Sequence, residues 1–136
     1  EYVVHKVRSI VSDISLKYDN PKIAVLGLSF KGNIDDMRES PSLKVIEKLK
    51  QIAEVSIFDP HVMRPFAAKV EQYDEAITDA DLILILTDHD EFRNLDIQTT
   101  ENRVRTKVIM DTRNIIEAKD WIDKGFKVFT LGVAAN

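Results

Sequence analysis

An α/β fold, a doubly wound parallel sheet of about five strands preceded by an amphipathic helix, is what this sequence predicts. Three observations carry the expectation. Short apolar runs at 23–28, 54–58, 82–87, 108–111 and 127–131 have the length and the aliphatic, β-branched content of buried parallel strands. Helix-like or irregular connections separate them, and strands alternating with crossovers pair in parallel under helices on both faces. Before the first run, Val3, Val7, Ile10 and Ile14 recur at helical spacing, with Val4 and Val11 widening the stripe and Lys6, Arg8, Ser12 and Asp13 falling elsewhere.

In chain order, the leading helix over 3–17 stops at Asp19-Asn20-Pro21. The first strand leads into a loop bounded by Gly27 and Gly32 that carries Lys31 and Arg38. Ser40-Pro41 is an N-cap followed by proline at the first helical position, and Leu43, Val45, Ile46, Leu49 and Ile52 supply that helix with its apolar side. The second strand ends at the turn signal Asp59-Pro60, a short helix is expected over 73–78, and the third strand runs into Thr87-Asp88-His89-Asp90. Asp111-Thr112-Arg113-Asn114 follows the fourth strand, and the fifth ends near Leu131. With strand order 2-1-3-4-5, ligands bind beyond the carboxyl ends of the strands at the point where the order reverses. The loops 29–39, 87–90 and 111–114 are expected there.

Composition excludes several functions. The 136 residues, 44% hydrophobic and 31% charged, suit one globular domain. A net charge of −4 gives no bulk attraction to nucleic acid or to an anionic membrane, so a phosphate ligand needs a local cluster of cations. The absence of cysteine removes disulfides and thiolate chemistry. None of the four glycines, Gly27, Gly32, Gly125 and Gly132, is spaced as G-x-G, so no standard dinucleotide fingerprint occurs. The longest apolar runs, such as 82–86, are too short to span a bilayer, and no leader peptide is visible, which makes a cytoplasmic location the expectation. The chain begins without methionine and already in helical pattern, as a piece of a longer protein would.

Each candidate residue also has an ordinary structural reading. Lys31 is a donor for phosphate or substrate oxygens, or else a solvated loop lysine; Phe30 beside it suits the core equally well. Arg113 can hold an anion in bidentate fashion, or pair with Asp111. Arg38 can be neutralised by Asp35 and Asp36, which as neighbours in sequence suit loop shaping better than acid–base catalysis. The segment 87–92 is rich in potential metal ligands, but consecutive residues of one short turn rarely enclose a metal, and Asp88 or Asp90 can cap a following helix. His5 and His61 have no visible catalytic companion, and Ser29, Ser40 and Ser42 lack a nucleophile elbow.

Gly27, Phe30, Lys31, Asp36, Arg38, Ser40 and Pro41 together match the pattern G-x-x-F-K followed by D-x-R-x-S-P. In this the chain resembles the C-terminal, UDP-sugar-binding domain of the UDP-glucose/GDP-mannose dehydrogenase family, over nearly its whole length. The resemblance implies a linking helix at 1–20 from the central part of a parent enzyme and a C-terminal domain at 21–136. It implies substrate binding by Phe30, Lys31 and Arg113, and contact of Arg38 with an NAD held mainly by an absent N-terminal domain. The intact enzyme would oxidise the C6 alcohol of a UDP-sugar to a carboxylate with two NAD, through a cysteine-linked thioester. This chain has no catalytic residue and no metal ligand under that reading, and alone is expected to be inactive. The T-D-H-x-x-F sequence at 87–92 is similar to family enzymes acting on UDP-N-acetylhexosamines, including UDP-N-acetylmannosamine; a UDP-glucose 6-dehydrogenase is the alternative, since tryptophan often replaces that histidine there.

The family resemblance also implies a homodimer built on the linking helix, whose apolar face is wide enough to leave part for a partner. Two readings from other classes share the architecture. A phospho-receiver module would use Asp88 as acceptor, but strand five ends without the expected lysine and no acid pair directly follows strand one. A stand-alone regulatory nucleotide-binding module would have the same fold and loop chemistry.

Overall fold

Five apolar runs form the centre of the molecule in the computed structural model, which describes residues 2–29, 40–63 and 65–131. Strands β1 (Lys22–Leu26), β2 (Glu54–Phe58), β3 (Leu82–Ile85), β4 (Val108–Asp111) and β5 (Lys127–Thr130) make one parallel sheet in the order β2-β1-β3-β4-β5. This is the expected order. The period-two geometry of strands then assigns each side chain to a layer. Ile23, Val25, Leu82, Leu84, Val108 and Met110 face a core built with α1 (Tyr2–Ser15) and α2 (Pro41–Leu49). Ala24, Leu26, Ile83, Ile85 and Ile109 face the other core, under α3 (Tyr73–Ile77), α4 (Asp90–Arg93), α5 (Ile97–Arg103) and α6 (Ala118–Asp123).

The leading helix is a full member of the first core. Val4, Val7, Ile10, Val11 and Ile14 are all buried within this chain, so the wide apolar stripe is used internally. At ~1.5–3 kcal/mol per buried aliphatic side chain, α1 contributes on the order of 10 kcal/mol of burial, an upper bound before chain entropy. The large apolar residues left exposed near it are Tyr2 and Leu16. The argument from an unpartnered stripe to a dimer therefore loses its premise.

Helix α2 starts as its sequence dictates. Ser40 adopts an extended conformation, its Oγ accepts from the Ser42 amide at 3.2 Å, and Pro41 occupies a first-turn position where no amide hydrogen is needed. Two short helices, α5 and α6, were not anticipated. α5 is capped by Asp96, whose carboxylate accepts from the amides of Gln98 and Thr99; its threonines hide it from a propensity argument. β2 and β4 end where their apolar runs end, whereas β1, β3 and β5 stop one or two residues short, β1 because Gly27 turns the chain with φ +114°. Residues 68–70 cover the outer edge of β2 through Ile57 N–Ala68 O (2.9 Å) and Val70 N–Ile57 O (2.8 Å).

The amino ends of the central strands are tied by Asp81. Its buried carboxylate accepts from the Lys22 amide (3.0 Å), Arg105 Nε (2.9 Å) and Nη2 (2.7 Å), and Thr106 Oγ1 (2.6 Å). Burial alone would raise the Asp81 carboxyl, but these donors hold it below the ordinary carboxylate value. A concavity of about 470 Å³ lined by Asn20, Lys22, Glu54, Glu75, Thr78, Asp79 and Arg105 opens at this end. It lies opposite the end where such folds bind ligands, and its arginine is already engaged by Asp81.

Candidate functional site

The order reverses between β1 and β3, so the site grows from the residues that follow these strands. Gly27 is required there by contact as well as by φ: a Cβ on it would overlap the Thr87 side chain and come within 2.8 Å of the Thr87 amide nitrogen. The ends of β1 and β3 thus touch backbone to side chain. Thr87 Oγ1 and Ser40 Oγ both donate to the Ser29 carbonyl, at 3.3 and 3.4 Å, which pins the chain on the two sides of the segment 30–39.

Beneath this point lies a buried polar knot. Asp59, which follows β2, accepts from the amides of Leu28 (2.7 Å) and Ser29 (3.2 Å) through Oδ2, and from the His61 amide (2.9 Å) and His89 Nε2 (2.9 Å) through Oδ1. Burial pushes its carboxyl up, but the bonds from His89, Leu28 and His61 outweigh that and hold it below the ordinary carboxylate value. Asp59 is therefore ionised, which assigns the Nε2 hydrogen of His89 to that bond. The His61 ring lies 4.4 Å from that of His89 and bonds Glu91 at 3.0 Å, while Phe92 packs on the other side at 5.3 Å.

Ser29 Oγ is 3.1 Å from the same Nε2. Serine, histidine and aspartate are together here, yet they do not form a catalytic triad. A triad uses the two imidazole nitrogens for its two partners, whereas both contacts here converge on one nitrogen. Ser29 and His89 are also 1% and 0% exposed, beyond reach of a substrate. The knot holds the chain where it leaves β1.

This arrangement also excludes dinucleotide binding at that turn. In a dinucleotide fold the amides after the first strand cradle the pyrophosphate; here the amides of Leu28 and Ser29 are taken by a carboxylate, which repels phosphate. The described residues do not fit an NAD pyrophosphate. Among the described residues, a diphosphate here would look to side-chain cations rather than to the amides of Leu28 and Ser29.

Arg113 is such a cation. Asp111, the last residue of β4, accepts from the amides of Arg113 (3.0 Å), Ile115 (2.7 Å) and Ile116 (2.9 Å), and Asn114 takes φ +60° to complete the turn. The alternative ion pair between Arg113 and Asp111 is thus replaced by backbone capping. The guanidinium instead faces Asp88, with Nη2 3.7 Å from Oδ2, and the two side chains are 37% and 33% exposed. That distance is longer than a hydrogen bond, so Asp88 leaves the donors of Arg113 available. β4 neighbours β3 rather than β1, which places Arg113 beside the 87–90 loop.

Phe30, Lys31 and Arg38, with Asp35 and Asp36, lie outside the described residues. In the segment 87–92 the potential ligands diverge: Asp88 faces Arg113, His89 turns inward to Asp59, and Asp90 pairs with Arg93 at 3.5 Å. Among the described residues no group of three or more such side chains is placed to hold a metal ion. The alternative capping role of Asp88 or Asp90 is not seen: the N-cap position before α4 is His89, with no side-chain cap. Asp59 was missed by sequence reasoning. The signal for it was the strand order, because β2 and β3 flank β1 and their following residues converge over its end.

Comparison with known proteins agrees with this fold. The chain is similar to UDP-N-acetyl-D-mannosamine dehydrogenases of Methanocaldococcus jannaschii (40% identical over 139 residues, covering 99% of this chain) and Methanococcus maripaludis strain C7 (41% over 133 residues, 94% of this chain). It spans 31% of the length of each of these relatives. The solved structure of a UDP-D-ManNAc dehydrogenase from Pyrococcus horikoshii superposes with a TM-score of 0.79 at 33% identity, over 93% of this chain and 29% of that one. Residues 24–118 match the UDP-glucose/GDP-mannose dehydrogenase family, UDP binding domain, and the chain belongs to that family.

Proposed function

We propose that this chain is the UDP-sugar-binding part of an NAD-dependent nucleotide-sugar 6-dehydrogenase acting on a UDP-N-acetylhexosamine, with UDP-N-acetylmannosamine as the substrate favoured by its relatives. The observation that carries the reading is the switch point itself. The amides of Leu28 and Ser29 are taken by Asp59, while Arg113 stands at the carboxyl end of β4 with its donors available. A nucleotide diphosphate is then bound by side-chain cations, Arg113 from one loop and Lys31 from the other, with Phe30 against the base. UDP-glucose as substrate is the alternative within the same site.

The oxidation itself belongs to the rest of the parent enzyme. NAD supplies the hydride acceptor when bound; this chain, without cysteine and without a turn that fits a pyrophosphate, binds and orients the UDP-sugar and leaves NAD to an N-terminal domain, with Arg38 reaching toward it. The proposal includes a cytoplasmic enzyme of polysaccharide precursor synthesis that self-associates, both carried by family membership. A receiver-type role for Asp88 is disfavoured by its pairing with Arg113.

Calorimetric titration of UDP tests the reading. A charge-assisted contact contributes ~1.5–3 kcal/mol, so Arg113→Ala should weaken UDP about 10- to 100-fold without unfolding the chain. Equal affinity in wild type and Arg113→Ala would remove Arg113 from the site.

A further inference from the structure

Among the described residues, three buried carboxylates are saturated by this chain's own donors: Asp59 by Leu28, Ser29, His61 and His89, Asp81 by Lys22, Arg105 and Thr106, and Asp111 by Arg113, Ile115 and Ile116. Asp88 differs. Its Oδ1 is buried without a hydrogen-bond partner, alone among buried side-chain nitrogen and oxygen atoms of the described residues, while the side chain as a whole remains one-third exposed. Buried polar atoms are almost always satisfied, because an orphaned one forfeits its hydration for nothing. An orphan at the carboxyl end of β3, at the switch point, marks an acceptor waiting for a donor from outside the chain.

We propose that Asp88 binds the nucleotide directly, its one-third-exposed carboxylate turning to present the orphaned oxygen to a neutral donor of UDP, either a ribose hydroxyl or the uracil imino N–H. The assignment rests on the UDP-site reading above and goes beyond it. A carboxylate repels the diphosphate, so Asp88 must face the ribose or the base, while the adjacent Arg113 guanidinium faces the phosphates. The pair, 3.7 Å apart, sets an acceptor beside donors. A nucleotide carries the complementary set, with anionic oxygens close to neutral O–H and N–H groups.

The test measures binding of UDP, 2′-deoxy-UDP, 3′-deoxy-UDP and CDP, which lacks the imino hydrogen, to the wild-type chain, Asp88→Ala and Arg113→Ala. Thermal melts are taken without ligand. Asp88→Ala should weaken UDP about tenfold. One of the three analogues should bind the wild type about tenfold more weakly than UDP but bind Asp88→Ala as well as UDP does, and that analogue identifies the donor. The melting temperature of Asp88→Ala should stay level or rise, since an unsatisfied atom is removed; a fall that matches the affinity loss would make Asp88 structural and overturn the assignment. Uniform weakening of all four ligands, absent in an Arg113→Ala background, would make it a positioning residue for Arg113 and likewise overturn direct binding. UDP binding that depends on Arg113 but not on Asp88 sinks only this inference, whereas no dependence on Arg113 sinks the UDP-site reading itself.

Discussion

Replacing Asp59 with alanine should be among the most damaging single changes in the chain, although Asp59 touches no ligand. The substitution removes the acceptor for the amides of Leu28, Ser29 and His61 and for His89 Nε2. Three of these donors are buried, and His89 would be left with its polar edge facing an emptied site. Each buried donor left unsatisfied costs ~1–3 kcal/mol, so stranding three of them should cost at least ~3–5 kcal/mol, a large part of the ~5–15 kcal/mol that stabilises an ordinary domain. At about 4 °C per kcal/mol for a domain of this size, the melting temperature should fall by roughly 10–20 °C. Asp59→Asn should be intermediate, since it keeps one acceptor but turns an N–H₂ group toward donors. The pH dependence has a definite sign. The folded Asp59 carboxyl lies below its ordinary value, so its contribution is complete above the unfolded value of about 4 and is lost as pH falls through the lower folded value. The stability gap between wild type and Asp59→Ala, measured by urea titration, should be constant from neutral pH down to about 5 and narrow below about 4. An Asp59→Ala protein melting within about 3 °C of wild type at pH 7 would refute the reasoning.

Other outcomes follow from the same geometry. Gly27→Ala combines left-handed φ with overlap on Thr87, and should cost about 4 kcal/mol or more, read as loss of soluble folded protein or of a cooperative melt. Asp81→Ala should lower the melting temperature as Asp59→Ala does, yet leave UDP affinity of the folded fraction unchanged, because the Asp81 cluster lies at the opposite ends of the strands. Lys31→Ala should weaken UDP about as much as Arg113→Ala, if the two cations share the diphosphate. The chain alone should reduce no NAD with any UDP-sugar, as followed by absorbance of the reduced cofactor.

Fold and site were legible in the sequence to different degrees. The strands were visible because a sheet buried on both faces demands unbroken apolar runs, as in 82–86, and their alternation with crossovers restricts the topology to few choices. α2 was announced by Ser40-Pro41. The helices around Thr100 and Trp121 were not, since each is too short for a helical period to show and is held by tertiary burial. At the candidate site, Arg113 stood out from its place after β4, but its neighbour Asp88 did not, because adjacency across strands depends on order rather than on sequence distance. Asp59 and His89 are 30 residues apart in sequence and looked like a turn residue and a stray potential ligand. Only the stacking of β2, β1 and β3 side by side makes them one group.

The most direct test of the central claim is a calorimetric titration of UDP into the wild-type chain at low salt, with Lys31→Ala and Arg113→Ala as controls. The account predicts saturable binding that each substitution weakens at least about tenfold. Binding that is indifferent to both substitutions, or no binding by the folded chain up to millimolar UDP, would contradict it.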